Sequence, residues 1–237
     1  FAGCNVTVPH KRAVMDYLDE ITDQARAIGA VNTIVIGREG RMVGHNTDAV
    51  GFLRALTECG FRVEGRRAVV LGAGGAARAV AYGLASSGAV VTILNRTLSH
   101  AESLVADLAS LFPSLLFRSL PLCSVSRCGE VYSADPLVNA TSVGMWPEVQ
   151  GSPWPEGLSM PSSLTVFDLV YNPPETKLMR QARAAGAQAI GGLGMLVHQG
   201  AAAWELWTGQ EAPVEVMAEA AKAAFSECEW EEQCCGF

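Results

Sequence analysis

A glycine-rich turn near the middle of the chain has the residue types and spacing of a dinucleotide phosphate site. The apolar run at 68–71 is followed by Gly72, Gly74 and Ala77 in the pattern G-x-G-x-x-A, where a helix is predicted to begin. Gly72 permits a tight turn, Gly74 lets the backbone approach a pyrophosphate, and the free N–H groups of the helix favour an anion. The motif alone is equally compatible with a packing turn.

Asn95, Arg96 and Thr97 follow the next apolar strand, at the distance from the glycine-rich turn where such units contact the adenosine ribose. An acidic residue here would accept a hydrogen bond from the ribose 2′-hydroxyl and favour NAD. A guanidinium beside a hydroxyl suits a 2′-phosphate, so the sequence predicts NADP. The alternative is that Arg96 only covers a surface turn.

Lys11 and Asp48 have the side chains of an acid–base pair, because an ammonium group can donate a proton and a carboxylate can accept one. Lys11 follows Pro9 at the end of a predicted strand. Asp48 lies at the start of an amphipathic helix, which Thr47 or Asp48 could cap. Taken singly, the two residues are more typical of a solvated lysine and a capping aspartate.

The elements that must position these residues alternate between strands and helices through the middle of the chain. This order predicts an α/β fold with a doubly wound parallel sheet and right-handed crossovers. Nearer the start, a strand is predicted at 6–8 and a helix after it. Segments 30–36 and 42–46 are predicted to form a hairpin. The Ser-, Pro- and Gly-rich stretch 147–163 is predicted to be a surface loop.

The composition of the 237 residues limits the classes of partner. The net charge of −7, without a Lys/Arg cluster, argues against a nucleic-acid surface. The apolar runs are too short to span a bilayer, so no membrane partner is expected. Seven scattered cysteines indicate reduced thiols and a cytosol-like compartment. No metal site is expected, because the cysteines and histidines lack ligand spacing.

Eight ordered segments resemble the shikimate dehydrogenase family, and the resemblance covers residues 1–225. The segments are NVTVPHK (5–11), AVNT (30–33), NTD (46–48), GAGGAAR (72–78), NRT (95–97), NATSVGM (139–145), DLVYNP (168–173) and GLGMLVHQ (192–199).

The resemblance implies an enzyme that reversibly reduces 3-dehydroshikimate to shikimate with NADPH, in the pathway to chorismate and the aromatic amino acids. It implies a Rossmann-type NADP domain at 48–191. A smaller α/β substrate domain is expected from 1–47 and 192–225, completed by the C-terminal helices. Residues 226–237 are expected to form a tail.

The resemblance also implies roles for individual residues. Lys11 and Asp48 match the catalytic pair. The positions that match substrate-binding residues are Thr7, Asn32, Tyr171 and Gln199. The positions that match the cofactor site are Gly72, Ala73, Gly74, Gly75, Ala76, Asn95, Arg96, Thr97, Thr141, Met145, Gly192 and Met195. His10 is expected to be structural, and His198 is considered as a residue lining the pocket.

The chain departs from the family at its start. Family members carry a further strand and a pair of carboxylate-binding serines before the segment that matches Phe1 onward. We therefore expect a missing or fused N-terminal segment, such as the dehydroquinase domain of bifunctional forms. Without it we expect NADP binding with weak or no turnover of shikimate. The protein is expected in the cytoplasm, or in a plastid if a preceding segment carried a transit peptide.

Two alternatives to an NADP-dependent shikimate dehydrogenase remain at this point. One is a quinate/shikimate dehydrogenase that prefers NAD, against which Arg96 argues. The other is an NADP-binding protein whose catalysis is impaired.

Overall fold

The computed structural model describes residues 1–126 and 129–226 and contains two β-sheets with helices packed against them. The strands are β1 (Gly3–Asn5), β2 (Glu20–Ile21), β3 (Thr33–Ile36), β4 (Met42–His45), β5 (Arg67–Leu71), β6 (Val90–Asn95), β7 (Phe117–Pro121), β8 (Leu137–Asn139), β9 (Thr165–Asp168) and β10 (Gln188–Ile190). The helices are α1 (Asp23–Ile28), α2 (Asp48–Glu58), α3 (Gly75–Ser86), α4 (Leu98–Leu111), α5 (Gly129–Tyr132), α6 (Lys177–Ala184), α7 (Leu193–Thr208) and α8 (Val214–Ser226).

The larger sheet lies in residues 67–190, called here the six-stranded region. All of its strand pairs are parallel, in the order β10-β9-β8-β5-β6-β7. The strand order reverses between β5 and β8, which is the switch point where doubly wound folds bind ligands. The predicted doubly wound parallel sheet is therefore confirmed, and the glycine-rich turn follows β5 at that point.

Apolar side chains fill both faces of this sheet, as expected for parallel strands buried on both sides. Phe52 and Phe167 pack edge to face in the core on one face, with ring centroids 5.0 Å apart. On the other face Trp154 is buried, and its Nε1 donates to the Leu158 carbonyl at 3.0 Å. The prediction of a surface loop at 147–163 is thus wrong for Trp154, because its large ring closes this face of the core.

The smaller sheet lies in residues 1–45, called here the four-stranded region, with the order β1-β3-β4-β2. β3 and β4 form the predicted antiparallel hairpin. The first strand lies earlier than expected, since Gly3 to Asn5 pair with β3 while Val8 is exposed. The helix predicted after Pro9 is present as a short 3-10 helix, Ala13–Tyr17.

Helices α2 and α7 pack closely against each other and connect the two regions. A Cβ on Gly51 of α2 would lie 2.7 Å from the Gln199 backbone nitrogen of α7, so only glycine allows this approach. At the other end of α7, Trp207 Nε1 donates to the Ile34 carbonyl of β3 at 2.9 Å. These contacts bring α7 to the four-stranded region, while the expected division into two domains stays a prediction.

The predicted tail at 226–237 lies outside the described residues from 227 onward. Across 1–126 and 129–226, no helix combines the length and the apolar character that a membrane crossing requires.

Candidate active site

Lys11 and Asp48 form a shielded ion pair. Lys11 lies in the turn after β1, Asp48 is the first residue of α2, and Lys11 Nζ is 2.6 Å from Asp48 Oδ2. Only 13% of the lysine side chain and 5% of the aspartate side chain are exposed. Among the described residues Asp48 is the one hydrogen-bond partner of this ammonium group, which leaves two N–H donors for a substrate.

Asn32 connects the ion pair to its surroundings. Its side-chain nitrogen lies within donating distance of Thr47 Oγ1 (2.9 Å), Asp48 Oδ1 (2.9 Å) and Gln199 Oε1 (3.2 Å). Its oxygen accepts from the Thr47 amide at 2.7 Å. Because two protons serve three acceptors, the most distant one, on Gln199, is available to a substrate hydroxyl.

The start of α2 holds Asp48 in place, and Asn46 makes the cap. Asn46 Oδ1 accepts from the backbone amides of Asp48 (3.1 Å) and Ala49 (3.3 Å), while its nitrogen donates to the Ala30 carbonyl. The cap expected from Thr47 or Asp48 is therefore made one residue earlier. This releases the Thr47 hydroxyl and the Asp48 carboxylate to face Asn32.

The glycine-rich turn lies beside this cluster. Gly72 has a φ of +110°, which favours glycine, and a Cβ there would be 3.0 Å from the Ala140 carbonyl oxygen. A Cβ on Gly74 would enter open space, whereas one on Gly75 would lie 2.9 Å from Lys11 Cβ. The first amides of α3 follow directly, so the turn fits a dinucleotide pyrophosphate approaching at Gly74.

The segment after β6 fits the distal end of such a cofactor. Asn95 Nδ2 donates to the Thr97 carbonyl at 2.8 Å and shapes the turn, and the Arg96 side chain is exposed. Arg96 lines a surface pocket of about 400 Å³ together with Cys123, Val143 and Pro153. This volume is in the range of small-molecule sites, and a guanidinium at its edge suits a phosphate.

Thr141 lies at the end of β8, where a buried polar network that the sequence did not single out fixes the loop. Asn139 Oδ1 accepts from the Thr141 hydroxyl at 2.7 Å, and Asn139 Nδ2 donates to Asp168 at 2.8 Å. Asp168 also accepts from the Thr176 hydroxyl (2.7 Å) and the Val170 amide. Burial raises the pKa of Asp168 above its usual range, and these hydrogen bonds partly oppose the rise.

Several predicted residues lie outside the polar cluster. Thr7 is exposed at the start of the turn that carries Lys11. Tyr171 is 38% exposed, and its ring centroid lies 5.3 Å from that of Phe225 in α8. His198 faces α2 and pairs with Glu58 at 2.9 Å, on a different side of α7 from the ion pair. It does not line the site next to its neighbour Gln199.

Three further predicted cofactor residues differ in their exposure. Met145 is exposed in the loop after β8, whereas Met195 is buried in the core with Phe52. Gly192 precedes α7 so close to Leu169 that an added Cβ would lie 2.2 Å from the Leu169 carbonyl oxygen. Within the part of the chain that the structure describes, no three His, Cys, Asp or Glu side chains cluster as metal ligands.

Three family models match separate parts of the chain. The shikimate dehydrogenase substrate-binding domain matches residues 1–34, the shikimate/quinate 5-dehydrogenase domain matches 55–123, and the shikimate 5′-dehydrogenase C-terminal domain matches 192–222. The NADP(+)-dependent shikimate dehydrogenase of Symbiobacterium thermophilum is 50% identical over 223 residues, which cover 94% of this chain and 76% of that protein. The chain belongs to the shikimate dehydrogenase family.

Solved structures of family members share the fold. The shikimate dehydrogenase of Thermus thermophilus, in complex with NADP(H) and shikimate, is 42% identical with a TM-score of 0.81, over 94% of this chain and 79% of that one. A quinate dehydrogenase of Corynebacterium glutamicum, in complex with NAD, is 34% identical with a TM-score of 0.83, over 94% and 78%. The expected fusion to a dehydroquinase is not borne out by these comparisons, and the chain spans between 76% and 79% of the length of these three relatives.

Membership in the shikimate dehydrogenase family places the chain among oxidoreductases that act on an alcohol group, and the closely similar relatives are named for NADP(+). The structure brings Lys11, Asp48, Asn32 and Gln199 into one cluster and the glycine-rich turn against it. Asn46, Asn139 and Asp168 complete the scaffold.

Proposed function

We propose that this protein catalyses the reversible NADPH-dependent reduction of 3-dehydroshikimate to shikimate. The observation that carries the proposal is the contact between the two half-sites. The shielded Lys11–Asp48 pair lies directly against Gly75 of the phosphate-binding turn. A proton donor and a dinucleotide cradle side by side are what the reduction of a ketone requires.

Lys11 would supply the proton. NADPH, when bound at the glycine-rich turn, would supply the hydride for the carbonyl carbon. The developing alkoxide oxygen then takes a proton from Lys11 Nζ, and the ammonium charge stabilises that oxygen before the transfer. In the reverse direction the neutral amine accepts the hydroxyl proton. Asp48 Oδ2 accepts a hydrogen bond from Nζ at 2.6 Å and holds it in position.

The remaining polar residues would orient the substrate. Gln199 Oε1 and the free N–H donors of Lys11 can bind ring hydroxyls next to the reacting carbon. Thr7 and Tyr171, both at exposed positions, would contact the substrate from its open side. Asn32 keeps its protons on Asp48 and Thr47, so its main effect would be to fix the acceptors.

The cofactor would be NADP, held along the switch-point edge of the six-stranded region. The turn Gly72, Ala73, Gly74, Gly75 and Ala76 would bind the pyrophosphate, and Asn95, Arg96 and Thr97 the 2′-phosphate. Thr141, Met145, Gly192 and Met195 would form the nicotinamide end, Met195 as buried support. This assignment corresponds to the proposed division into an NADP domain (48–191) and a substrate domain (1–47 and 192–225).

Such an activity would serve the synthesis of chorismate and the aromatic amino acids. The partner of the protein is then a small molecule, and neither nucleic acid nor membrane is needed. A cytoplasmic location agrees with the free thiols of Cys4, Cys59 and Cys123.

The decisive test is the initial rate of NADP⁺ reduction with shikimate, alongside quinate and alongside NAD⁺. The proposal expects turnover with shikimate and NADP⁺ to exceed turnover in the other three combinations. A preference for quinate with NAD⁺ would place the protein with enzymes such as the quinate dehydrogenase. NADP⁺ binding measured by calorimetry, with no turnover of either substrate, would indicate an impaired NADP-binding protein.

A further inference from the structure

One face of α3 packs against the four-stranded region instead of its own sheet. The residues on this face are Gly75, Arg78, Ala79 and Tyr82, spaced i, i+3, i+4 and i+7. Gly75 approaches Lys11, while Ala79 shares a small buried cluster with Ile28 and other residues, against which Tyr82 packs. The helix that begins at the phosphate-binding turn is therefore also the junction between the two regions.

Arg78 is the polar member of this junction. It is 5% exposed, and its Nη1 donates to the Ile28 carbonyl at 3.3 Å. Nη1 and Nη2 both reach Asp107 Oδ2 of α4, at 2.9 and 2.8 Å. Ile28 is the last residue of α1, where carbonyls lack a partner within the helix, so the guanidinium joins three helices from both regions.

Stability alone does not account for a buried guanidinium here. Arg78 Nε is buried and has no hydrogen-bond partner among the described residues, so part of its desolvation stays uncompensated. A flexible apolar side chain would fill the same space without that cost. What the guanidinium adds is direction, because its hydrogen bond to the Ile28 carbonyl fixes the end of α1 relative to α3.

We infer that Arg78 is a positioning residue that fixes the glycine-rich turn relative to Lys11. The inference rests on the proposed function, in which the cofactor is held by the six-stranded region and the proton donor by the four-stranded region. Hydride transfer requires the cofactor and the proton donor to be positioned relative to each other with an error well below about 1 Å. A shift of about 1 Å far from the reacting atoms can reduce the rate about 10²-fold. The junction between α1 and α3 controls that alignment.

The test compares Arg78→Met with Asp107→Asn. Arg78→Met removes the guanidinium and keeps much of its length, whereas Asp107→Asn changes only the half-exposed partner and leaves the bond to Ile28. We expect kcat with shikimate to fall about 10- to 100-fold in Arg78→Met. Its Kd for NADP⁺ should stay near that of the wild type, because the turn and Arg96 are intact. Asp107→Asn should retain kcat, and Arg78→Lys, which can still donate to the Ile28 carbonyl, should recover part of it.

Amide hydrogen exchange provides a readout that needs no turnover. In Arg78→Met, exchange should increase at the end of α1 and the start of α3, and in Asp107→Asn it should not. A wild-type kcat in Arg78→Met, measured below its unfolding temperature, would overturn the inference even if its stability is lower. If Arg78→Met does not fold, unchanged kcat and exchange in Arg78→Lys and a loss in Asp107→Asn would overturn it instead. A wild-type protein without turnover would refute the proposed function, and the exchange data would then decide the role of Arg78.

Discussion

The polar cluster around Lys11 and the glycine-rich turn lie within contact distance of each other, but the first is built from side chains and the second from backbone. In the cluster, side chains determine one another's positions, since Asn32 alone connects Thr47, Asp48 and Gln199. In the turn, side chains are nearly absent, and a Cβ on Gly74 would meet nothing. Proton transfer requires a donor held at one place, whereas a pyrophosphate is bound by backbone amides. Substitutions in the cluster should therefore act on turnover, and those in the turn on cofactor affinity.

The largest expected effect is that of Lys11→Ala. Without the ammonium group the alkoxide loses its proton donor, and kcat should fall by at least about 10². Kd for NADPH should change little, because the phosphate-binding turn is untouched. Steady-state kinetics and a fluorescence titration measure the two quantities. The matched control is Lys177→Ala, which removes a half-buried lysine paired with Glu156 and should leave kcat unchanged. Near-normal turnover of Lys11→Ala would remove the lysine from the mechanism.

Arg96→Asp should have the next largest effect, and on affinity. Hydrogen bonds to a charged group contribute about 1.5–3 kcal/mol, so Kd for NADPH should rise roughly 10- to 100-fold, with a much smaller rise for NADH. Arg67→Asp is the control, since Arg67 is exposed at the opposite end of the sheet. An unchanged ratio of the two Kd values would show that Arg96 does not bind a 2′-phosphate.

Substitutions of two neighbouring glycines, Gly74 and Gly75, should separate an effect on cofactor affinity from an effect on turnover. Gly74→Ala places its methyl group in the space reserved for the cofactor, so Kd for NADP⁺ should increase while the free protein is unaffected. Gly75→Ala presses on Lys11 Cβ, so kcat should fall, by about tenfold if the ammonium moves by part of an ångström. Helix propensity favours alanine at position 75, so unfolding temperatures of both variants serve as controls. Equal effects of both variants on kcat and Kd would contradict the division.

The smallest expected effect concerns the buried scaffold of the turn, and appears in the pH dependence of stability. The raised pKa of Asp168 means that the unfolded chain loses this proton first as the pH rises. The contribution of Asp168 to the free energy of unfolding is therefore complete below its ordinary pKa of 3.8 and decreases as the pH rises through the folded-state pKa. Urea unfolding of the wild type and Asp168→Asn over a pH series should reveal this slope only in the wild type.

Asn is the appropriate replacement at position 168, because its oxygen can still accept from Asn139 and Val170 while its nitrogen donates to Thr176 Oγ1. Asp16→Asn, at an exposed position in the 3-10 helix, gives the background slope. Parallel curves for the wild type and Asp168→Asn would show that burial does not perturb this carboxyl group.

The sequence was most informative where local rules decide the structure. The alternation of strands and helices predicts the parallel sheet, and the glycine spacing predicts the tight turn in which Gly72 has a positive φ. The pairing of Lys11 with Asp48 was predicted from family resemblance, because a single sequence does not show that two residues so far apart are in contact. The predicted cap of α2 lies one residue too late, because Asn46, Thr47 and Asp48 are all residue types that favour the N-cap position.

Other features depend on burial, which a single sequence does not reveal. Trp154 lies in a stretch whose composition is that of a surface loop, and only the gap beside β9 and α6 explains its burial. Nothing in the sequence around Asp168 indicates a buried carboxyl group, whose environment is formed by donors from Asn139, Val170 and Thr176. Arg78 belongs to the phosphate-binding motif in sequence, yet its side chain faces away from the turn toward α1.

The bond from Trp207 to the Ile34 carbonyl has a consequence for the order in which the molecule assembles. The two residues are 173 positions apart, and Asn32 and Gln199 are 167 apart. During synthesis on the ribosome, the four-stranded region cannot contact α7 until the chain has been made through Leu193–Thr208. The six-stranded region, whose pairings lie between, can form earlier. The polar cluster around Lys11 is therefore completed late, after the glycine-rich turn, so premature termination within α7 would leave the six-stranded region without Gln199 and the contacts that it makes in that cluster.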